Sequence, residues 1–302
     1  MTTGIHRIRI DVWVDYVCPY SWIHIATLDA FKAVYGAGVD IRWHPFEMRP
    51  EPFALVEPDS PARHETWAKR IYPLAFERGV SIRMPSFTTR SRLAFEVASW
   101  AADRGRFDEV HRALFSALFE RGEDIGDVET LVRIATTQPD EADDLRHMLD
   151  IGWHAIRVER HKALAARLGV DGIPFTVLSR PDGGADEAER NRKGELADEA
   201  DDRANEARGA NGANGADDQV NGADKGEMRP VVLRGVAPLG HFHEAVHTLF
   251  PEGYAVMSAG RGPASRDEGD AAEVADTAEA ATGDGTPGSA TDVDACDKAD
   301  HS

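Results

Sequence analysis

Between Ile8 and Trp22 the chain reads I-R-I-D-V-W-V-D-Y-V-C-P-Y-S-W. Ile8, Ile10, Val12 and Val14 recur at every second residue, the period of a strand with one face in a core. The strand runs into Cys18 and then Pro19, and proline suits the first position of a helix because its missing N–H has no partner to lose there. Ile25, Leu28, Phe31 and Tyr35, spaced three and four apart, continue that helix to about Tyr35. Cys18 is thereby expected at a helix N-terminus, with unpaired backbone N–H groups directed at its sulfur. Such a setting lowers a thiol pKa and yields a thiolate near neutral pH. The competing reading is an inert structural cysteine, because free cysteine is among the most buried residue types.

With this turn in view, D-Y-V-C-P-Y-S-W resembles the DsbA family of thioredoxin-fold proteins. Its nearest branch there is the FrnE-like one, which includes 2-hydroxychromene-2-carboxylate isomerases and kappa-class glutathione transferases. The family's second mark is a cis-proline loop far downstream. Gly169 to Leu178, G-V-D-G-I-P-F-T-V-L, matches it with a helix-ending glycine, then G-I-P-F-T-V entering a strand. The resemblance covers residues 6–180 and 229–250. It implies an α/β, thioredoxin-like fold with an inserted helical subdomain. It also implies that Pro174 packs against Cys18, that the backbone of Ile173 pairs with substrate, and that Pro19 and Tyr20 belong to the substrate side.

The departure from the dithiol pattern is at Ser21, which stands where those members carry a second cysteine. A second sulfur would attack the mixed disulfide and release the substrate. A hydroxyl cannot do so, and Cys18 must then be freed by an outside thiol. Ser21 can still donate a hydrogen bond to the thiolate. Transferase and isomerase members begin the motif with serine, so the chain combines the oxidoreductase's first residue with the transferase's next three.

Composition bounds the partners. Residues 181–227 hold 14 acidic and six basic side chains, and residues 258–302 hold 11 and three. Each segment carries −8, so only −3 of the whole-chain −19 falls on the other 210 residues. The acidity belongs to two low-complexity segments, and a nucleic-acid groove would want the opposite sign. Six lysines against 28 arginines, together with those segments, resemble the composition of salt-adapted proteins. No run approaches the roughly 20 apolar residues of a membrane span, and Met1 to Arg9 lacks an apolar leader, which points to the cytoplasm. The two cysteines, Cys18 and Cys296, are too few for a disulfide framework.

The expected organisation follows the chain. Residues 6–50 give β-α-β, with a C-cap at Gly36 and a second strand through Val39, Ile41 and Trp43 that stops at Pro45. Residues 58–160 form the helical insertion, opened by the Ser60–Pro61 cap. Helices are expected over Trp67 to Arg78, Leu93 to Asp103, Phe107 to Glu120, Val128 to Thr137 and Ala142 to Leu168. Trp67, Phe87 and Trp100 would line a substrate groove, unless they simply fill the core. Residues 161–180 and 228–255 complete the first domain with strands before Leu178 and over Met228 to Arg234, then a helix from Leu239 to Phe250. Residues 181–227 and 256–302 are expected to be disordered.

One motif points elsewhere. His243-Glu244-Ala245-Val246-His247 matches H-E-x-x-H, with His241 as a third imidazole, and such histidines one turn apart can hold zinc. No further ligand follows, and surface histidines on an amphipathic helix account for the pattern, so no metal is expected. The resulting expectation is thiol–disulfide exchange by Cys18 on a protein or small-molecule substrate. No cofactor is expected beyond a small-molecule thiol as co-substrate, and neither nucleic acid nor membrane is a partner. The alternative is a small-thiol-dependent transferase or isomerase.

Overall fold

The computed structural model describes residues 7–181, 230–251 and 254. The two acidic segments expected to be disordered lie outside the described residues except for Pro181, and so does Cys296. Four strands form one mixed sheet in the order β2-β1-β3-β4. β1 (Ile8–Val14) pairs parallel with β2 (Val39–Pro45) and antiparallel with β3 (Phe175–Ser179), which pairs antiparallel with β4 (Val231–Arg234).

β1 is central, and this corrects the single-face reading of its alternation. Ile8, Ile10, Val12 and Val14 enter the main core, but Asp11 and Trp13 on the opposite face are buried as well. α1 (Pro19–Tyr35) and the last helix cover the first face, with Phe31 and Phe242 ring centroids 5.4 Å apart. On the second face a smaller cluster joins Trp13, Cys18, Ala165, Val170, Ile173 and Phe175. Gly36 closes α1 at φ 64°, its N–H donating to the carbonyl of Lys32.

The helices between the two halves of the sheet begin at Ser60, whose hydroxyl accepts the N–H of Arg63. α2 runs Pro61–Thr66, widens into a π-helical turn at Trp67–Ile71 and resumes as Tyr72–Glu77. Pro73 lacks a ladder N–H, and the wide turn just before it absorbs the misfit. α3 (Arg92–Ala102), α4 (Phe107–Ser116, extended by a π-helical turn at Ala117–Arg121) and α5 (Val128–Ala135) follow.

The helix expected from Ala142 to Leu168 is two helices, α6 (Pro139–Asp150) and α7 (Ala155–Arg167). Gly152, at φ 61°, breaks the run in a left-handed conformation that ends helices. α8 (Leu239–Leu249) is the last element. Among the described residues no helix is long and apolar enough to cross a membrane.

Candidate active site

Cys18 is the residue before α1, with extended backbone (φ −93°, ψ 113°) and Pro19 in the first helical position. Its N–H donates to the carbonyl of Asp15 at 3.0 Å, and its own carbonyl accepts from Ser21 at 3.1 Å and Trp22 at 3.3 Å. The side chain is fully buried. Half-buried Tyr20, Phe46 and Met48 pack against the cluster that contains it. The expected helix-terminal placement and the expected burial of an inert cysteine thus occur in one residue. Reaction with a bulky substrate requires this packing to open.

The loop before β3 reaches the same cluster. The Ile173–Pro174 peptide is cis, and Ile173 is 1% exposed beside Cys18's partners Trp13 and Phe175. Pro174 is buried, and its carbonyl accepts the N–H of Gly235 at 2.9 Å. The structure therefore brings together the two stretches that the sequence singles out, 155 positions apart. Pro19 is buried and Tyr20 half-buried at the start of α1.

Ser21 is fully buried, and its Oγ accepts the backbone N–H of Asp15 at 3.3 Å. Its acceptor capacity is thus engaged in the turn that carries Cys18. Asp15 is the residue the sequence reading missed. Its carboxylate accepts from Met48 N–H at 2.8 Å and from Val17 N–H at 3.3 Å, and the nearby Ser91 hydroxyl also favours its ionised form. Burial, reinforced by the nearby negative charge of Glu47, pushes its pKa up to about 6 against the hydrogen bonds that favour ionisation. The signal was its phase: Asp11, Trp13 and Asp15 share the second face of a strand that has no exposed side.

Two further buried groups support the site. His24 on α1 bonds through Nε2 to Thr176 Oγ1 at 2.9 Å, joining the cysteine's helix to the strand two residues beyond Pro174. Its burial lowers its pKa to about 3, so it is neutral. On β2, His44 stacks on Trp13 at 4.5 Å, bonds Asp11 at 2.8 Å and meets His161 of α7 at 3.0 Å.

Other expectations are corrected or relocated. Trp67 and Trp100 are 5% and 0% exposed and belong to the main core, Trp100 donating to Asp144 at 2.8 Å. Phe87 is half-buried against the same core. These aromatics do not form a groove wall, because the helical layer needs them to fill its interior. A cleft of about 370 Å³ lies along β2 instead, lined by Trp43, His44, Phe107, His111, Arg157 and His161, and none of the expected site residues borders it. On α8, His243 bonds the Tyr35 hydroxyl at 2.8 Å, while His241, Glu244 and His247 are exposed. Among the described residues no group of three or more histidines, cysteines or carboxylates could hold a metal ion.

Comparison with known proteins gives the relations of this chain. Residues 9–193 match the family model described as a DSBA-like thioredoxin domain. An uncharacterised protein, YwbO, from Bacillus subtilis (strain 168) is 32% identical over 131 residues, which are 42% of this chain and 64% of that protein. The match therefore spans less than two thirds of that relative's length. Among solved structures, a probable DsbA oxidoreductase from Streptomyces coelicolor superposes with a TM-score of 0.54 at 19% identity, covering 83% of this chain and 94% of that one. The cytosolic disulfide reductase DsbM from Pseudomonas aeruginosa, solved with GSH, gives 0.44 at 16% identity, covering 63% and 99%.

Proposed function

The chain belongs to the DSBA-like thioredoxin domain family, and from that premise we propose that it exchanges thiols and disulfides through Cys18 alone. The observation that carries the reading is the meeting of Cys18, at the N-terminus of α1, with Ile173 of the cis-proline loop in one buried cluster. The fold is thioredoxin-like, with β3 and β4 antiparallel beside the parallel pair.

In the proposed reaction the Cys18 thiolate attacks one sulfur of a disulfide formed between the substrate and a small thiol. The S–S bond breaks, the substrate sulfur leaves and takes up a proton, and Cys18 holds the small thiol as a mixed disulfide. With Ser21 in the fourth position of the motif no local sulfur can resolve it. A second small thiol attacks instead, freeing Cys18 and carrying both small-thiol sulfurs away as their own disulfide. The two electrons gained by the substrate come from those small thiols. Pro19, Tyr20, Ile173 and Pro174 are the residues that receive the substrate, and Ser21 assists the thiolate. The setting is a reducing, cytoplasmic one, supported by only two cysteines in 302 residues.

Full burial of Cys18 favours a second reading, in which a small thiol lies along Ile173 and the protein acts as a transferase or isomerase on an electrophile. One experiment separates them. Wild type and Cys18→Ala are assayed for reduction of a glutathione mixed disulfide and for conjugation of glutathione to an electrophile. Loss of the first activity in Cys18→Ala supports exchange; conjugation that survives the substitution, with no disulfide reduction by wild type, overturns it.

A further inference from the structure

β2 is an edge strand, and it borders the cleft that none of the residues assigned to the Cys18 reaction touches. The ladder fixes which of its backbone groups look outward. Phe46 N–H donates to the carbonyl of Val14 at 2.9 Å, so His44 and Arg42, two and four residues back, also turn their backbone groups toward β1. Ile41 and Trp43 therefore direct N–H and C=O away from the sheet. Among the described residues no hydrogen bond reaches those groups. Pro45 shares their phase: its missing N–H would point outward, where a proline costs a strand no ladder bond.

The lining of the cleft shows that this edge is reachable. Ile41 and Trp43 pack toward the main core, whereas His44 lies on the opposite face against Trp13, yet all three border the same cleft. A space that touches both faces of one strand opens on its edge. It follows β2 from Ile41 to Pro45, about 13 Å at the rise of a strand. On the first face its wall is aromatic, with the His111 ring 4.5 Å from Trp43 and stacked on Phe107 at 5.0 Å. His111 is 2% exposed, and the Tyr16 hydroxyl engages its Nδ1. On the second face His161 is held through Nδ1 by His44. Among the described residues nothing bonds the Nε2 of either ring.

We propose that this cleft binds a segment of another polypeptide in extended conformation, as an additional strand on the outer edge of β2. The unpaired amides decide between a peptide and a small aromatic molecule. A row of N–H and C=O groups two residues apart is matched by another backbone of the same period, and main-chain bonds then supply the affinity. Successive side chains of the added strand fall on opposite faces. One set meets the rings of Trp43, Phe107 and His111 and is bulky and apolar. The other meets His161 and is small, with a hydroxyl for the imidazole. Arg42 and Arg157, the guanidiniums of the cleft, are already paired with Asp40 and Asp103, so this second set is neutral and not acidic. The site goes beyond thiol exchange, and its occupation is read without turnover.

The probe is acetyl-Thr-Phe-Thr-Phe-Thr-amide, titrated into the nitrogen-15-labelled full chain while amide exchange is followed residue by residue. Saturable binding with slowed exchange at Ile41 and Trp43 is expected. Alternate amides of a strand face opposite ways, so two further peptides are compared, N-methylated at the phenylalanines or at the threonines. The one methylated on the side facing β2 should bind about tenfold more weakly or worse, through lost main-chain bonds, and the other should match the parent. Ile41→Pro removes one outward N–H in the phase that Pro45 already occupies, and should weaken binding to a similar degree. If that variant fails to fold, Ala102→Phe decides: Ala102 is exposed on α3 and borders the cleft, so a ring there should obstruct the peptide. Four results overturn the proposal: no saturable binding, affinity indifferent to both methylations, N-acetylphenylalaninamide binding as tightly as the pentapeptide, or the same amides protected by raising protein concentration alone. The third would assign the cleft to a small aromatic molecule and the fourth to a second copy of this chain.

Discussion

In the proposed reaction Ser21 matters by the sulfur it lacks, and in the structure by what it accepts. Its Oγ takes the N–H of Asp15 at 3.3 Å in a fully buried turn. Ser21→Cys exchanges that acceptor for a larger, weaker one, at a cost of about 1 kcal/mol, read as a lower thermal midpoint. It also supplies the missing local thiol. The expected outcome is a variant that reduces insulin with a dithiol reductant, where wild type instead accumulates a small-thiol adduct on Cys18, visible by intact mass. Cys18, Ile173 and Pro174 were legible because each sits in a short pattern with a mechanism. Asp15 was not, since its meaning depends on Met48 and Ser91, 33 and 76 residues away, and no local spacing encodes those contacts.

Among the elements, α1 and β3 carry the two halves of the site, and His24 with Thr176 spans the gap between them at 2.9 Å. Thr176→Val keeps the shape and strands the buried Nε2, so a loss of about 1–3 kcal/mol is expected, measurable as a lower urea midpoint. Helix ends show why sequence periodicity succeeded and failed. Ser60 and Gly36 announced their termini by residue type, and both cap as expected. Between Ala142 and Leu168 the apolar spacing runs on through the break, so only Gly152 marked it, and glycine alone is a weak signal. Its φ of 61° places it in the left-handed region, and an added Cβ would meet only Ala155 Cβ at 3.7 Å, an ordinary contact. Gly152→Ala should then cost only the backbone term, about 1 kcal/mol, by thermal unfolding. The two-sided burial of β1 was hidden because Asp11 and Asp15 look like solvent-facing residues, and only the covering by α7 and the Met48 segment reveals that they are inside.

At the scale of the whole molecule, the buried titrating groups decide how stability answers to pH. Burial lowers His24 and His111 to about 3 and His161 to about 4 from an ordinary 6.5, so these rings are neutral when folded. Below pH 6.5 the unfolded chain protonates them and the folded one does not, and their contribution to stability is lost as pH falls toward the folded values. Asp15 has the opposite sign. Its folded pKa is raised from 3.8 to about 6, so its contribution is present below pH 4 and lost as pH rises through 6. Glu47 and Glu96, raised by burial, act in Asp15's direction. At pH 5 unfolding therefore takes up a proton at each of the three histidines and releases one from Asp15. The three histidines outweigh Asp15, with Glu47 and Glu96 offsetting only part of the remainder because at pH 5 their unfolded forms are still partly protonated, and unfolding free energy should rise with pH between 4 and 6 less steeply than the histidines alone would make it. Replacing Asp15 by asparagine removes one released proton, so the slope at pH 5 should steepen by about 1.4 kcal/mol per pH unit. Urea unfolding of wild type and Asp15→Asn at pH 4.5, 5.0 and 5.5 measures both slopes. Parallel slopes would mean that Asp15 is already ionised in the folded protein at pH 5, and the proton the turn is expected to hold would not be there.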